Sequence, residues 1–273
     1  YKEAGLDVEL LDGKGSGSTV QAVGAGVDTF GFASLDTMAL LASKGQPVVA
    51  VAGIIQKSPN ALISLEGNAV SKPADLVGRK VGLVPDGAAA RLFPQLLKVN
   101  NIDASKVEVV QLGYFTLYGA LLQGQVDAIV AFNIDGPKVA KQKPTAPPLL
   151  YADFGLNSLG AGIMTNTKTV AEEPELVGKF VKATLKGLED TVTDPAAAAK
   201  AITDARPDAD SALILAGTQL TKHHLHTLKS EENAAGVMTE ADWLETKKVL
   251  VDAFGMAPDT DVAKLYTNRF VEN

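Results

Sequence analysis

The same strand pattern occurs twice in this chain, 99 positions apart, and that repetition limits the folds open to it more than any other feature. Val8-Glu9-Leu10-Leu11 stands 99 positions ahead of Val107-Glu108-Val109-Val110, and residues 29–37 (TFGFASLDT) stand the same distance ahead of 128–136 (AIVAFNIDG). Asp28 and Asp127 precede these runs in register, and Asp36 matches Asp135. Further on, residues 47–51 (PVVAV) resemble 148–152 (PLLYA) at an offset of 101. Identities are few, but the register holds across three strand-like runs.

Each repeat reads as strand, helix, strand. Residues 8–11, 29–33 and 48–52 are short apolar runs bounded by Gly, Pro or Asp, as buried parallel strands are. A helix is expected after Ser16-Gly17-Ser18-Thr19, with Val20, Val23 and Val27 on its apolar side, and another over 117–123. Alternating strands and helices imply parallel sheets joined by right-handed crossovers, hence two α/β lobes.

The second repeat is preceded by a further strand and helix, 80–84 and then Ala88–Val99. The first repeat has no counterpart, because Gly5-Leu6-Asp7 already matches Asn101-Ile102-Asp103. Residues 1–4 read as the tail of a first helix, so the first lobe is expected to lack its initial strand, a unit of about 25 residues with the helix. After the second repeat, residues 160–165 read as a strand returning to the first lobe. Helices opening at Pro174 and Pro195, and one over Glu240–Phe254, are expected to pack on that lobe. The expected domains are 1–66 plus 160–273 and 67–159. Gly160 and Gly162 would flank the return crossing and permit the backbone change of lobe closure.

Charge and composition remove several function classes. The net charge of −7 leaves no basic face for nucleic acid. The longest apolar run, 47–55 with Gly53 inside it, is too short to span a bilayer. No cysteine occurs, which excludes disulfides, thiolate nucleophiles and thiolate metal sites. A chain opening Tyr1-Lys2-Glu3 carries no visible targeting segment and is expected to be processed or trimmed.

Several segments resemble the nitrate/sulfonate/thiamine-precursor family of solute-binding proteins. They are 1–11 (YKEAGLDVELL), 26–37, 45–65 (GQPVVAVAGIIQKSPNALISL), 73–84 (PADLVGRKVGLV), 124–130 (GQVDAIV) and 174–187 (PELVGKFVKATLKG), in the family's order and across nearly the whole chain. The resemblance implies a two-lobed periplasmic-binding-protein-like fold of type II, each lobe a parallel-rich sheet flanked by helices, with ligand bound in the cleft. It also implies a periplasmic or extracytoplasmic monomer that delivers a small molecule to the membrane subunits of an ABC importer. A thiamine-precursor pyrimidine is the favoured ligand, ahead of another small aromatic or an organosulfonate. The alternative is a ligand-sensing domain of a regulator or receptor. The family includes a fungal enzyme that makes a thiamine pyrimidine and carries a cysteine-rich signature. Without cysteine, the expectation here is that the chain is not an enzyme.

In open parallel sheets ligands bind beyond the carboxyl ends of the strands. That rule selects the Gly-Ser loop around Lys14, namely Ser16, Gly17, Ser18 and Thr19, where a helix N-terminus offers free N–H groups. It selects Ser34 and Asp36 after the second run, and Gln56 after the third. In the second lobe the equivalents are Asp86 and Ala88, Tyr114, Phe115 and Thr116, and Asn133 with Asp135; Asn157 precedes the return strand. Asn133 donates and accepts whereas an ionised Asp135 only accepts, a pair suited to amine or amide donors. Tyr114 and Phe115 could stack on a flat ring. Ser18 and Asp36 also serve as helix caps in the plainer reading. Asp28 and Asp127 lie at the opposite strand ends and read as structural. The only histidines, His223, His224 and His226, read as a solvated face rather than a metal site, and Trp243 as core. No metal, nucleotide or triad motif appears, so no cofactor is expected.

Overall fold

The computed structural model describes residues 1–13, 15–85 and 88–271, together with the side chains of those residues apart from Ala88, Tyr114 and Phe115. The strands are β1 (Phe30–Ser34), β2 (Val48–Gly53), β3 (Asn60–Ser64), β4 (Lys80–Leu83), β5 (Glu108–Gln111), β6 (Ala128–Phe132), β7 (Leu149–Leu150) and β8 (Ala161–Asn166). The helices are α1 (Ser16–Gly24), α2 (Leu35–Ala42), α3 (Ala88–Val99), α4 (Tyr114–Leu122), α5 (Gly136–Ala140), α6 (Thr167–Glu172), α7 (Pro174–Thr193), α8 (Pro195–Ala205), α9 (Ser211–Thr221) and α10 (Glu240–Phe254). Contacts divide the chain into two compact units, Tyr1–Lys57 with Ser158–Asn273, and Ser58–Asn157. The first boundary falls before β3 rather than near residue 66, because β3 pairs with β6 and β7 inside the second unit.

In the first unit the strand order is β1-β8-β2, and both neighbours run antiparallel to β8. Thus β1 and β2 are parallel to each other, and the expectation of a sheet of parallel strands is corrected at its centre. Strand β2 is buried at every residue, so it reads as a continuous apolar run. Its period of two still sorts its side chains between two faces. Val48 and Ala50 join Val20, Val23, Leu35, Met38, Trp243 and Leu250 from α1, α2 and α10. Val49 and Val51 join Val177, Phe180, Val181 and Leu188 from α7. Close approach of α1 needs Gly31, since a Cβ there would stand 2.8 Å from Thr19 Cγ2 and 2.9 Å from Val23 Cγ2.

The second unit has the order β5-β4-β6-β3-β7, with β4 parallel to both β5 and β6, and β3 antiparallel to β6. Helix α4 brings Leu117, Ala120 and Leu121 onto Ile63, Ile129 and Ala131 of the sheet. Helix α3 buries Leu92, Phe93, Leu96 and Leu97.

Two expectations fail for reasons the sheets supply. Residues 8–11 form no strand, and Leu10 and Leu11 are 83% and 67% exposed. Their counterpart β5 pairs with β4 alone. No strand of the first unit takes β4's place among the described residues, so 8–11 has no ladder to join; three strands here face five there. Val27 lies beyond the end of α1 and is 78% exposed, not on the helix's apolar side. Gly160 and Gly162, expected to ease lobe closure, stand where the packing leaves no room for a side chain. A Cβ would stand 2.3 Å from Ile55 O at Gly160 and 2.4 Å from Ala52 O at Gly162.

Candidate functional site

In the first unit, β1 runs directly into α2, and the turn between them collects hydroxyls around one carboxylate. Asp36 Oδ1 accepts from the Ser34 hydroxyl, the Thr37 backbone N–H and the Thr37 hydroxyl. Its Oδ2 accepts from the Ser158 hydroxyl at 3.1 Å, and Ser158 adjoins the start of β8. The Ser34 backbone N–H donates to Ser16 Oγ at 3.1 Å, which ties the first residue of α1 to the end of β1. Ser16, Ser34, Asp36 and Ser158 therefore form one polar group at the carboxyl end of β1. Ser18 and Thr19 turn away from it, their hydroxyls donating to Gly15 O at 2.8 and 3.2 Å. Gly15 caps α1 without a side-chain bond, so Ser18 is not the cap. Gly17 sits in the first turn, and Lys14 lies outside the described residues.

Because β1 and β2 are parallel, the segment after β2 emerges at the same edge. Gln56 there is fully buried, and neither its Oε1 nor its Nε2 has a hydrogen-bond partner. Its backbone is firmly held: the N–H groups of Gln56 and Lys57 donate to His224 O at 2.7 and 3.0 Å, and the His224 ring lies 3.1 Å from Lys57 O. His224 is 1% exposed, which corrects the solvated-face expectation for that histidine, whereas His223 is exposed. Trp243 is fully buried core, stacked on Tyr266 at 5.3 Å between ring centroids, and its Nε1–H is also unpartnered.

In the second unit, β6 ends in a one-turn helix, Asn133–Asp135. Asp135 is 6% exposed, with Oδ1 paired to Lys138 Nζ at 2.6 Å and Oδ2 accepting from the Phe132 backbone N–H at 3.3 Å. It sits where the duplication puts it, but it meets an ammonium instead of hydroxyls. The Asn133 backbone N–H donates to Pro59 O at 2.8 Å. Asn157 Oδ1 accepts from the Ser58 N–H at 3.1 Å, and Asn60 Nδ2 donates to Ser58 Oγ at 2.8 Å, leaving Asn60 Oδ1 buried and unpartnered. Asn60 was not foreseen; its place opposite Phe132 in the β3–β6 register was not readable without the pairing. Phe132 and Ile134, 37% and 50% exposed, flank Asn133 with apolar surface. Thr116 is exposed and its hydroxyl donates to Gly113 O at 3.0 Å. Tyr114 and Phe115 open α4 and Ala88 opens α3, with side chains outside the description; Asp86 lies outside the described residues. At the opposite end of β6, Asp127 accepts from Asn68 Nδ2 at 2.7 Å and the Lys80 N–H at 2.8 Å.

Residues 1–198 match the family model described as NMT1/THI5 like. The chain belongs to the NMT1/THI5-like family. A riboflavin-binding protein of Chloroflexus aurantiacus is 26% identical to this family member, over 86% of this chain and 68% of the relative. A formylaminopyrimidine-binding protein of Halalkalibacterium halodurans is 24% identical, over 95% and 83%. A 4-amino-5-hydroxymethyl-2-methylpyrimidine phosphate synthase of Legionella pneumophila is 22% identical, over 99% and 84%. Proteins of Saccharomyces cerevisiae with the same synthase name match as well. Among solved structures, the alkanesulfonate-binding protein SsuA of Xanthomonas axonopodis superposes with a TM-score of 0.65 at 14% identity, covering 94% of this chain and 86% of its own. A Candida albicans protein with the generic periplasmic binding protein fold superposes at 0.62 and 12% identity, covering 98% and 89%. The fold of this family member is therefore the periplasmic-binding-protein type. The expectation that the chain is not an enzyme is overturned: the Legionella relative, aligned over 99% of it, and yeast relatives aligned over 78% are named as synthases. Absence of cysteine was too narrow a ground for that exclusion. Among the described residues, no helix is long and apolar enough to cross a membrane.

Proposed function

We propose that this chain captures a small nitrogen heterocycle, an aminopyrimidine first, outside the cytoplasmic membrane and delivers it to the membrane subunits of an ABC importer. The observation that carries this reading is the carboxylate of Asp36, set beyond the carboxyl end of β1 among the hydroxyls of Ser34, Thr37 and Ser158. A carboxylate and the free lone pairs of hydroxyls that already donate to it form an acceptor-rich group, which suits the N–H donors of an amino substituent. The names of two relatives, which bind formylaminopyrimidine and riboflavin, support nitrogen heterocycles as the ligand class. The synthase name carried by the Legionella relative across 99% of the chain favours a second reading, formation of a pyrimidine on the same scaffold.

Calorimetric titration with 4-amino-5-hydroxymethyl-2-methylpyrimidine, riboflavin and ethanesulfonate tests the first reading, with mass spectrometry of each mixture after incubation. Saturable binding of a heterocycle, returned unaltered, is expected. Asp36→Ala should weaken it tenfold or more, a loss of about 1.4 kcal/mol. Binding of the sulfonate alone would refute the ligand class, and a chemically altered ligand would favour the second reading.

A further inference from the structure

We infer that Gln56 is the residue of the first unit that reads the ligand's edge, its carboxamide making two parallel hydrogen bonds to an N–H and an adjacent acceptor. This rests on the proposed capture of a heterocycle and names the group that selects it. A buried polar group without a partner carries a standing desolvation penalty, and native proteins leave few such groups. At Gln56 both ends of one amide are in this state at zero exposure.

The surroundings fix the side chain while leaving its polar end unused. His224 O holds the Gln56 and Lys57 N–H groups, so the main chain is anchored independently of the amide. The aliphatic stem folds back over Gly53, where a Cβ would stand 3.0 Å from Gln56 Cγ and 2.8 Å from Met238 Cγ. Glycine at 53 is thus what admits the stem beside Met238. The position also follows β2 on the strand-end edge that carries Ser34 and Asp36, where parallel strands place ligands.

The pattern of missing partners selects the ligand chemistry. Oε1 needs a donor and Nε2 needs an acceptor, side by side and roughly coplanar. A 4-aminopyrimidine presents its amino N–H beside a ring nitrogen, the arrangement by which a Gln or Asn amide pairs with adenine. A sulfonate offers acceptors only and would leave Oε1 as it stands.

The test is calorimetric titration of the full chain and its Gln56→Leu variant with 4-amino-5-hydroxymethyl-2-methylpyrimidine and the 4-dimethylamino analogue, whose 4-substituent has no N–H to donate. Melting temperatures are measured alongside. The wild type should prefer the amino compound at least tenfold. Gln56→Leu should bind it at least tenfold more weakly and lose the preference, with a melting temperature unchanged or raised because no unpaired amide remains. Retained affinity and preference in Gln56→Leu would overturn the assignment while leaving the proposed capture standing. Lost binding with a lowered melting temperature would also overturn it, as the sign of a structural amide. A wild type that binds neither compound would refute the pyrimidine reading and this assignment with it.

Discussion

Tyr151 shows how burial alone makes a residue testable. Its side chain is fully buried in the second unit and its hydroxyl has no partner. Burial raises the phenol well above the ordinary value of 10.0. The folded state therefore keeps a proton that the unfolded state gives up near pH 10. The sign follows: stability is full below that pH and falls as pH rises through and beyond it. Tyr151→Phe should remove this alkaline loss and, at neutral pH, stabilise by about 1 kcal/mol, because an unsatisfied hydroxyl disappears. Urea titrations at neutral and alkaline pH read both effects. Asp135 behaves oppositely. Its two oxygens serve Lys138 and the Phe132 N–H, so Asp135→Ala should lower stability by about 1–3 kcal/mol, read by the same urea midpoint. Sequence register located Asp36 and Asp135 at matching strand ends. It could not show that one meets hydroxyls and the other an ammonium, because Ser158 lies 122 positions from Asp36 and Lys138 has no counterpart in the first repeat.

Strands with a single face or a plain apolar run were legible at the scale of elements; those that depend on a distant partner were not. Helix α3 and helix α10 span the ranges expected from the apolar pattern, and Thr239 caps α10 by accepting from the Asp242 N–H. Residues 8–11 carry the same apolar signature as β5 yet remain unpaired, since a strand exists only with its neighbour. The return strand β8 was legible as a strand, but not its antiparallel setting between β1 and β2, nor the irregularity opposite Ala50 and Ala52. That packing explains the two glycines of the segment. Gly162→Ala would force a Cβ to 2.4 Å from the Ala52 carbonyl oxygen and 3.0 Å from Leu35. Backbone is the obstacle, so no side-chain rotation relieves it. The variant should lose about 1–3 kcal/mol, as overpacked cores do. An unchanged thermal midpoint would show that the β2–β8 pair can part without penalty.

At the scale of the whole molecule, the duplication was readable as two α/β units but the unequal completion of their sheets makes them different folding problems. The first unit is assembled from two separated stretches, Tyr1–Lys57 and Ser158–Asn273, around three strands. The second is one continuous stretch, Ser58–Asn157, with five strands and its own core of Ile63, Leu117, Leu121, Val126, Ile129 and Val139. Its two ends meet, because Asn157 Oδ1 accepts from the Ser58 N–H at 3.1 Å. A segment whose ends lie together, whose sheet is internally paired and whose apolar contacts are its own meets the conditions for folding alone. It is also small enough for two-state behaviour. The excised segment 58–157 is therefore expected to unfold in urea in a single cooperative transition, with circular dichroism and tryptophan-independent probes such as tyrosine fluorescence reporting the same midpoint. Asn157→Ala should lower that midpoint in the excised segment, since the bond that joins its ends is lost and a buried N–H is left without a partner. A broad, non-cooperative transition would mean that the five-stranded unit depends on the rest of the chain for its core, and that the two repeats fold as one.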